Sequence, residues 1–176
     1  MRYYYYLIAV LVLVIDYITK LIVKTQMNLY DEISVIGNFF LITSHRNRGA
    51  AFGILQDQRW FFVAVTVVVV VGIIWYTQAV RKSAKAWLLV GLGLVLGGAV
   101  GNFIDRLRFG EVVDFFKFNF GSYTFPIFNI ADSAIVCGVA LILLDTLLAA
   151  RNESREKLQA GKDDEEGPVN HEHQSV

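Results

Sequence analysis

The stretch WFFVAVTVVVVVGIIWYTQ, residues 60–78, decides what kind of protein this is. Its centre is a run of five valines, Val67–Val71. In water such a run reads as a strand, because β-branched side chains favour a pleated, half-buried surface. The uninterrupted apolar length argues otherwise, since it approaches the ~20 residues needed to cross a hydrocarbon core. In lipid an unpaired strand leaves its backbone N–H and C=O groups without partners, whereas a helix satisfies them internally. The segment therefore reads as a membrane-spanning helix. Trp60 at one end and Trp75 and Tyr76 near the other suit the interfaces, where amphipathic rings are favoured.

Three further apolar runs of similar length cover residues 3–23, 86–104 and 130–150. Tyr3–Tyr6 and Trp87 lie at their ends. The first run leads into DYITK rather than a small-residue cleavage site, so it reads as a retained helix and not a secretory signal. The expected fold class is thus an all-α membrane protein with four transmembrane helices. Composition agrees: 55% of the 176 residues are hydrophobic and 18% charged, more apolar than a soluble domain of one-domain length. Sixteen basic and sixteen acidic residues balance, so nothing points to nucleic acid. The lone Cys137 excludes an internal disulfide framework and is expected to be a small buried side chain.

Four spans place both termini on one face. The connection RKSAK at Arg81–Lys85 is short and basic, and the tail adds Arg155, Lys157 and Lys162, so this face is expected to be cytoplasmic. Arg46, Arg48, Arg106 and Arg108 fall on the opposite face and weaken that signal. The two long connections, about 25–59 and 107–129, share the outer face. ISVIGNFFLITSHRN, residues 33–47, and FKFNFGSYTF, residues 116–125, are β-rich around Gly-Asn and Gly-Ser turns, which predicts hairpins and a small extracellular β-rich cap. Residues 1–150 form the expected membrane domain. Residues 151–176 read as a polar cytoplasmic tail, disordered by composition, whose His171, Glu172 and His173 are too isolated for a metal site.

Polar residues within such a chain are the functional candidates, because an ionised side chain at bilayer centre costs ~2.5–3.5 kcal/mol. Asp16 and Lys20 lie four apart on the first helix, the favourable orientation for an ion pair, and read first as a pair holding helices together. Gly93, Gly97 and Gly101 recur every four residues in the third, a spacing that permits close helix approach rather than a nucleotide loop. Asn102, Asp105 and Arg106 cluster at that helix's outer end. NRGAAFGIL, residues 47–55, offers Asn47 and Arg48 beside Gly49 and Gly53. Ser44 and His45 are neighbours on an expected strand and point to opposite faces, and Ser133 with Lys20 would have to meet across helix depths, so neither makes a convincing nucleophile and base.

Asp114 and Asp132 remain. They are too far apart to be helix neighbours, but one hairpin between them would bring the two carboxylates together. Facing carboxylates can activate a water and polarise a carbonyl, as in aspartic proteases. The other reading is two unrelated caps or interfacial charges. A small proton-coupled transporter or channel using Asp16, Lys20, Asp114 and Asp132 is the alternative function.

DYITK, NRGAAFGIL, GGAVGNFIDR, VVDF and FNIADSAI follow one another in an order and spacing that resembles the prolipoprotein, or type II, signal peptidases of bacterial plasma or inner membranes. The resemblance runs to about Arg151. It implies a four-helix aspartyl endopeptidase that cleaves a prolipoprotein just before a cysteine carrying a diacylglyceryl group. It implies Asp114 and Asp132 as the catalytic pair, Asn47, Arg106 and Asn129 lining the substrate groove or contacting the peptide backbone, and Asp16, Lys20, Asn102 and Asp105 in support. It further implies no metal or organic cofactor, membrane lipids as surroundings, and inhibition by globomycin-type peptides. Asp132 should open the fourth helix, where the dipole favours an anion. It is therefore expected to be the ionised base, with Asp114 the protonated acid.

Overall fold

Hydropathy locates the helices, and their hydrogen bonding carries them beyond the apolar runs. The computed structural model describes residues 3–49 and 54–165. Among them are α1 (Tyr4–Gln26), β1 (Glu32–Ile36), β2 (Phe40–Asn47), α2 (Arg59–Val80), α3 (Ala86–Phe109), β3 (Val112–Phe120), β4 (Tyr123–Thr124) and α4 (Ile130–Glu165). All four helices are long and apolar enough to cross a membrane. The chain is a multi-pass membrane protein, and the valine run is helical. α3 runs past residue 104 to Phe109 and stops where Gly110 adopts φ 76°, a left-handed cap that its missing Cβ permits. Asn102, Asp105 and Arg106 therefore lie within the helix.

α3 is the axis of the unit formed by Met1–Ile142. It is largely buried, while α2 is mostly exposed or half-buried, Thr77 being its one buried residue. Exposure of Val68 or Val71 to hydrocarbon carries no hydrophobic penalty, so packing in the bundle depends on close fit. Glycine supplies that fit on two sides of α3. A Cβ added at Gly93 or Gly97 would lie 2.6 Å from the carbonyl oxygen of Tyr5 or Ala9 on α1. A Cβ at Gly91 would lie 2.8 Å from that of Gly138 on α4. Around these contacts the interior is apolar: Tyr5, Leu88, Leu89 and Leu92 form one buried cluster. Tyr5 is thus core, unlike its exposed neighbour Tyr3, which stays at the helix end with Trp60, Trp75 and Trp87.

Both expected hairpins form and join into one antiparallel sheet, in the order β1-β2-β3-β4. Gly37 and Gly121, with φ 49° and 65°, sit at the two turns. The β2–β3 register sets Asn47 opposite Val112 and His45 opposite Asp114, which places the two long connections side by side at one end of the helices.

Two expectations are corrected. Cys137 is exposed rather than buried, because α4 turns Gly138, and not its neighbour, toward α3. The tail does not lose structure at residue 151: α4 continues to Glu165. Ser154 Oγ donates to the Ala150 carbonyl at 2.9 Å, and Lys157 pairs with Glu153 one turn earlier at 2.6 Å. Glu, Lys, Arg and Gln are good helix formers, so a polar sequence propagates a helix already nucleated by its apolar part. His171, Glu172 and His173 lie outside the described residues, as do residues 50–53 with Gly53.

Candidate active site

Four chain segments meet where the sheet adjoins the helices. Asp114 is the third residue of β3 and is only 1% exposed. Asp132 lies in the first turn of α4 and is half-buried. Asn129, fully buried just before that helix, connects them. Its Nδ2 donates to Asp114 Oδ1 at 2.7 Å, while its backbone N–H donates to Asp132 Oδ2 at 3.2 Å. Its own Oδ1 accepts from the Asp132 backbone N–H at 2.9 Å. Asn129 and Asp132 thus form a reciprocal cap on α4, each side chain satisfying a backbone donor of the other. The spacing of one cap therefore fixes one carboxylate, and the amide left over reaches the second.

The remaining oxygens are held from two further sides. Asn47 Nδ2, at the end of β2, donates to Asp114 Oδ2 at 2.9 Å, and Asn102 Nδ2, on α3, donates to Asp132 Oδ1 at 2.7 Å. Asn47 is itself oriented by the Gly49 N–H, which donates to its Oδ1 at 2.9 Å. Every carboxylate oxygen of the pair thus accepts from an amide, and no cation forms an ion pair with either aspartate among the described residues. Burial, and secondarily the negative charge of Asp132, push the Asp114 carboxyl up to about 7, against the pull of the Asn47 and Asn129 hydrogen bonds.

Behind Asn102 lies a second group. Lys20 Nζ donates to Asn102 Oδ1 at 2.9 Å and pairs with Asp16 at 2.7 Å and Asp105 at 3.0 Å. Asp16 Oδ1 also accepts from the Ala131 N–H at 2.9 Å, tying α1 to the start of α4. The expected i,i+4 pair forms. Its two extra partners, and the Ala131 contact, have no signal in the DYITK spacing.

Arg106 stands at the edge of the pair. Its Nη2 donates to the Gly49 carbonyl at 3.1 Å, and its guanidinium lies 4.7 Å from the Phe62 ring centroid. Ser44 is fully buried and accepts from Arg46, while Ser133 Oγ donates to the Asn129 carbonyl at 2.9 Å. Burial, then the charge of Arg46, push the His45 imidazole below its ordinary range. Among the described residues neither serine hydrogen-bonds to a base. Glu111 went unnoticed in the sequence. It pairs with Arg48 at 3.2 Å and Arg46 at 3.8 Å, contacts that depend on the β2–β3 register and have no local signal in the sequence.

Nearly all the sequence-predicted residues are thereby gathered into one connected network. Asn129 is 0% exposed and donates to Asp114 Oδ1, which places it between the two aspartates.

Comparison with known proteins bears on the same region. The profile of the signal peptidase (SPase) II family matches residues 8–148. A lipoprotein signal peptidase of Bacillus pumilus is 52% identical over 145 residues, covering 82% of this chain and 93% of that protein. Two solved structures, each described as a bacterial membrane enzyme, superpose closely. One is 42% identical with a TM-score of 0.79, covering 86% of this chain and 92% of its own; the other is 43% identical with a TM-score of 0.74, covering 84% and 94%.

Proposed function

The chain belongs to the signal peptidase II family, and from that premise we propose that Asp114 and Asp132 are its catalytic pair. It is a membrane-embedded aspartic peptidase that processes lipoproteins; the transporter reading is not favoured. The observation that carries the assignment is the Asn129 bridge between two carboxylates that form no ion pair among the described residues.

The chemistry follows from that arrangement. Asp132, ionised in the first turn of α4, takes a proton from water as the water oxygen attacks the scissile carbonyl carbon. Asp114, protonated, gives its proton to the carbonyl oxygen, so a neutral tetrahedral diol forms and neither step leaves a bare charge. Collapse breaks the C–N bond. The proton held on Asp132 passes to the leaving amine, and a diol proton returns to Asp114, which restores the starting state. Asn129, Asn47 and Asn102 are positioning residues: they hold four oxygens without neutralising either acid. Arg106, at the edge, is the residue placed to meet the substrate backbone.

The substrate is read as a prolipoprotein whose cysteine already bears a diacylglyceryl group, cut on the N-terminal side of that cysteine. Its lipid would remain in the bilayer while the scissile bond meets the sheet end of the helices. On this reading the sheet end faces outward and both termini the cytoplasm, which the basic connection at Arg81–Lys85 supports. Globomycin-type peptides are the inhibitors expected to occupy the same place. The test is cleavage of purified precursors by the full chain in detergent. The diacylglyceryl form should be cut with a far higher kcat/KM than the unmodified one, and equal values would remove lipid recognition from the reading.

A further inference from the structure

Five arginines stand at the sheet end, against the charge bias of the chain, and the structure accounts for four. Arg46 and Arg48 share Glu111, Arg106 is bonded to the Gly49 carbonyl, and Arg59 to the Leu107 carbonyl. Arg108 has no acidic partner among the described residues, and neither does Lys24. These two cations come from different helices, in the last turn of α3 and the last turn of α1. They converge on one ring: Lys24 Nζ lies 3.9 Å from the Phe109 centroid and Arg108 Cζ 5.4 Å from it. Beside them is a cleft of about 100 Å³, lined by Tyr17, Lys20, Lys24, Asp105, Arg108 and Phe109 among others. The spacing explains it, since Tyr17, Lys20 and Lys24 share one side of α1, and Asp105, Arg108 and Phe109 share one side of α3.

Cations at helix C-termini are favoured by the dipole, and this accounts for part of their placement. It does not account for two full positive charges being gathered onto one ring from two helices, where each repels the other. An anion between them removes that repulsion. The ends of spanning helices lie at headgroup level, where the abundant anion is a lipid phosphodiester, and Tyr17 and Phe109 are the interfacial aromatics that border such groups. We propose that the cleft between the ends of α1 and α3 binds the phosphate of an anionic phospholipid headgroup, held by Lys24 and Arg108. This ligand is distinct from the substrate, whose diacylglyceryl group carries no phosphate. Because it spans α1 and α3 beside the Lys20–Asp105 pair, the bound headgroup clamps the two helices that carry the support network of the site.

The experiment is a thermal unfolding titration of the full chain in neutral detergent with short-chain phosphatidylglycerol, short-chain phosphatidylcholine or inorganic phosphate. Phosphatidylglycerol should raise Tm saturably. Lys24→Gln or Arg108→Gln should each raise the half-saturating concentration about fivefold, and the double variant about thirtyfold. Lys24→Arg/Arg108→Lys, which keeps both charges, should retain the response, as should Arg81→Gln/Lys85→Gln at the opposite end. An unchanged response in the double glutamine variant overturns the site. So does an equal loss in the Arg81→Gln/Lys85→Gln control, or an equal Tm rise with phosphatidylcholine. A rise with inorganic phosphate at the same concentration overturns the lipid as its occupant.

Discussion

Asp16 and Asp114 are both 1% exposed, yet they live in opposite chemical worlds. Asp16 is matched by the Lys20 ammonium at 2.7 Å and fixed by the Ala131 N–H. Among the described residues Asp114 is hydrogen-bonded by amides alone, with a second carboxylate bonded to the same asparagine. Amides orient a carboxyl group without neutralising it, so Asp114 can keep or surrender a proton at modest cost. Asp16 has an ammonium against it and a backbone N–H on its other oxygen, and it is used to join helices. Equal burial therefore yields a brace in one region and a proton-transfer group in the other, and the partner decides which.

The largest effect that tests this difference is on turnover. Asp114→Asn and Asp132→Asn should each lower kcat/KM by at least the roughly 10²–10⁴-fold that a proton-transfer group supplies. The folded protein should persist in each, as judged by its thermal transition. Asp16→Asn removes a carboxylate equally buried but outside the pair, and it should lower Tm more than it lowers the turnover of the folded fraction. If Asp16→Asn abolishes turnover at full stability while either pair variant remains active, the two regions have been assigned the wrong way round.

Next in size is the stability of the brace. Lys20→Met leaves Asp16 and Asp105 buried without their shared cation, a class of change that costs about 3–5 kcal/mol. Unfolding of this variant in detergent should begin well below that of the parent. Adding Asp16→Asn removes one of the two orphaned charges and should recover part of the loss. A Lys20→Met protein as stable as the parent would mean that the ion network does not hold α1 and α3 together.

Much of this organisation was legible in the sequence, for identifiable reasons. Hydropathy found the four helices because lipid allows no other backbone solution for the valine run. Gly37 and Gly121 marked both hairpins because their turns need positive φ. The pairing of Asp16 with Lys20 followed from helical spacing. Contacts between segments were another matter. Nothing local to Lys20 signals Asp105 or Asn102, and nothing local to Asp16 signals the Ala131 N–H; those depend on how closely the glycines of α3 let its neighbours approach. The place of Asn129 between the two aspartates was not legible, because its burial is a property of the β3–α4 junction. The continuation of α4 to Glu165 was missed because composition measures whether a segment can nucleate structure, not whether it can extend it.

The pH dependence sharpens the comparison further. Asp114 must hold its proton to act as the acid, and burial has moved that carboxyl from 3.8 to about 7. Raising pH through about 7 should therefore remove the acid, and kcat/KM should fall along an alkaline limb centred there. Stability has the same sign: a carboxyl raised in the folded state favours folding most fully below 3.8, and this advantage is lost as pH climbs to about 7. The Tm of the parent should decline relative to Asp114→Asn over that window. A flat difference would show that Asp114 is not held protonated by the fold.

The smallest expected effect is at Cys137, and its value lies in that smallness. A thiol is a stronger nucleophile than any hydroxyl in this chain, so it is the rival that could displace the aspartate pair from the chemistry. Its position argues against it. α4 presents Gly138 to α3, where an added Cβ would lie 2.6 Å from the Gly91 carbonyl oxygen, and this leaves Cys137 exposed on the helix surface. It makes no hydrogen bond to any base among the described residues. Cys137→Ala should change stability by no more than about 0.5 kcal/mol, as at other surface positions. Turnover of a diacylglyceryl precursor should be indistinguishable from that of the parent. Loss of turnover in a Cys137→Ala protein of unchanged Tm would move the chemistry off Asp114 and Asp132, and with it the contrast between a neutralised and an un-neutralised carboxylate.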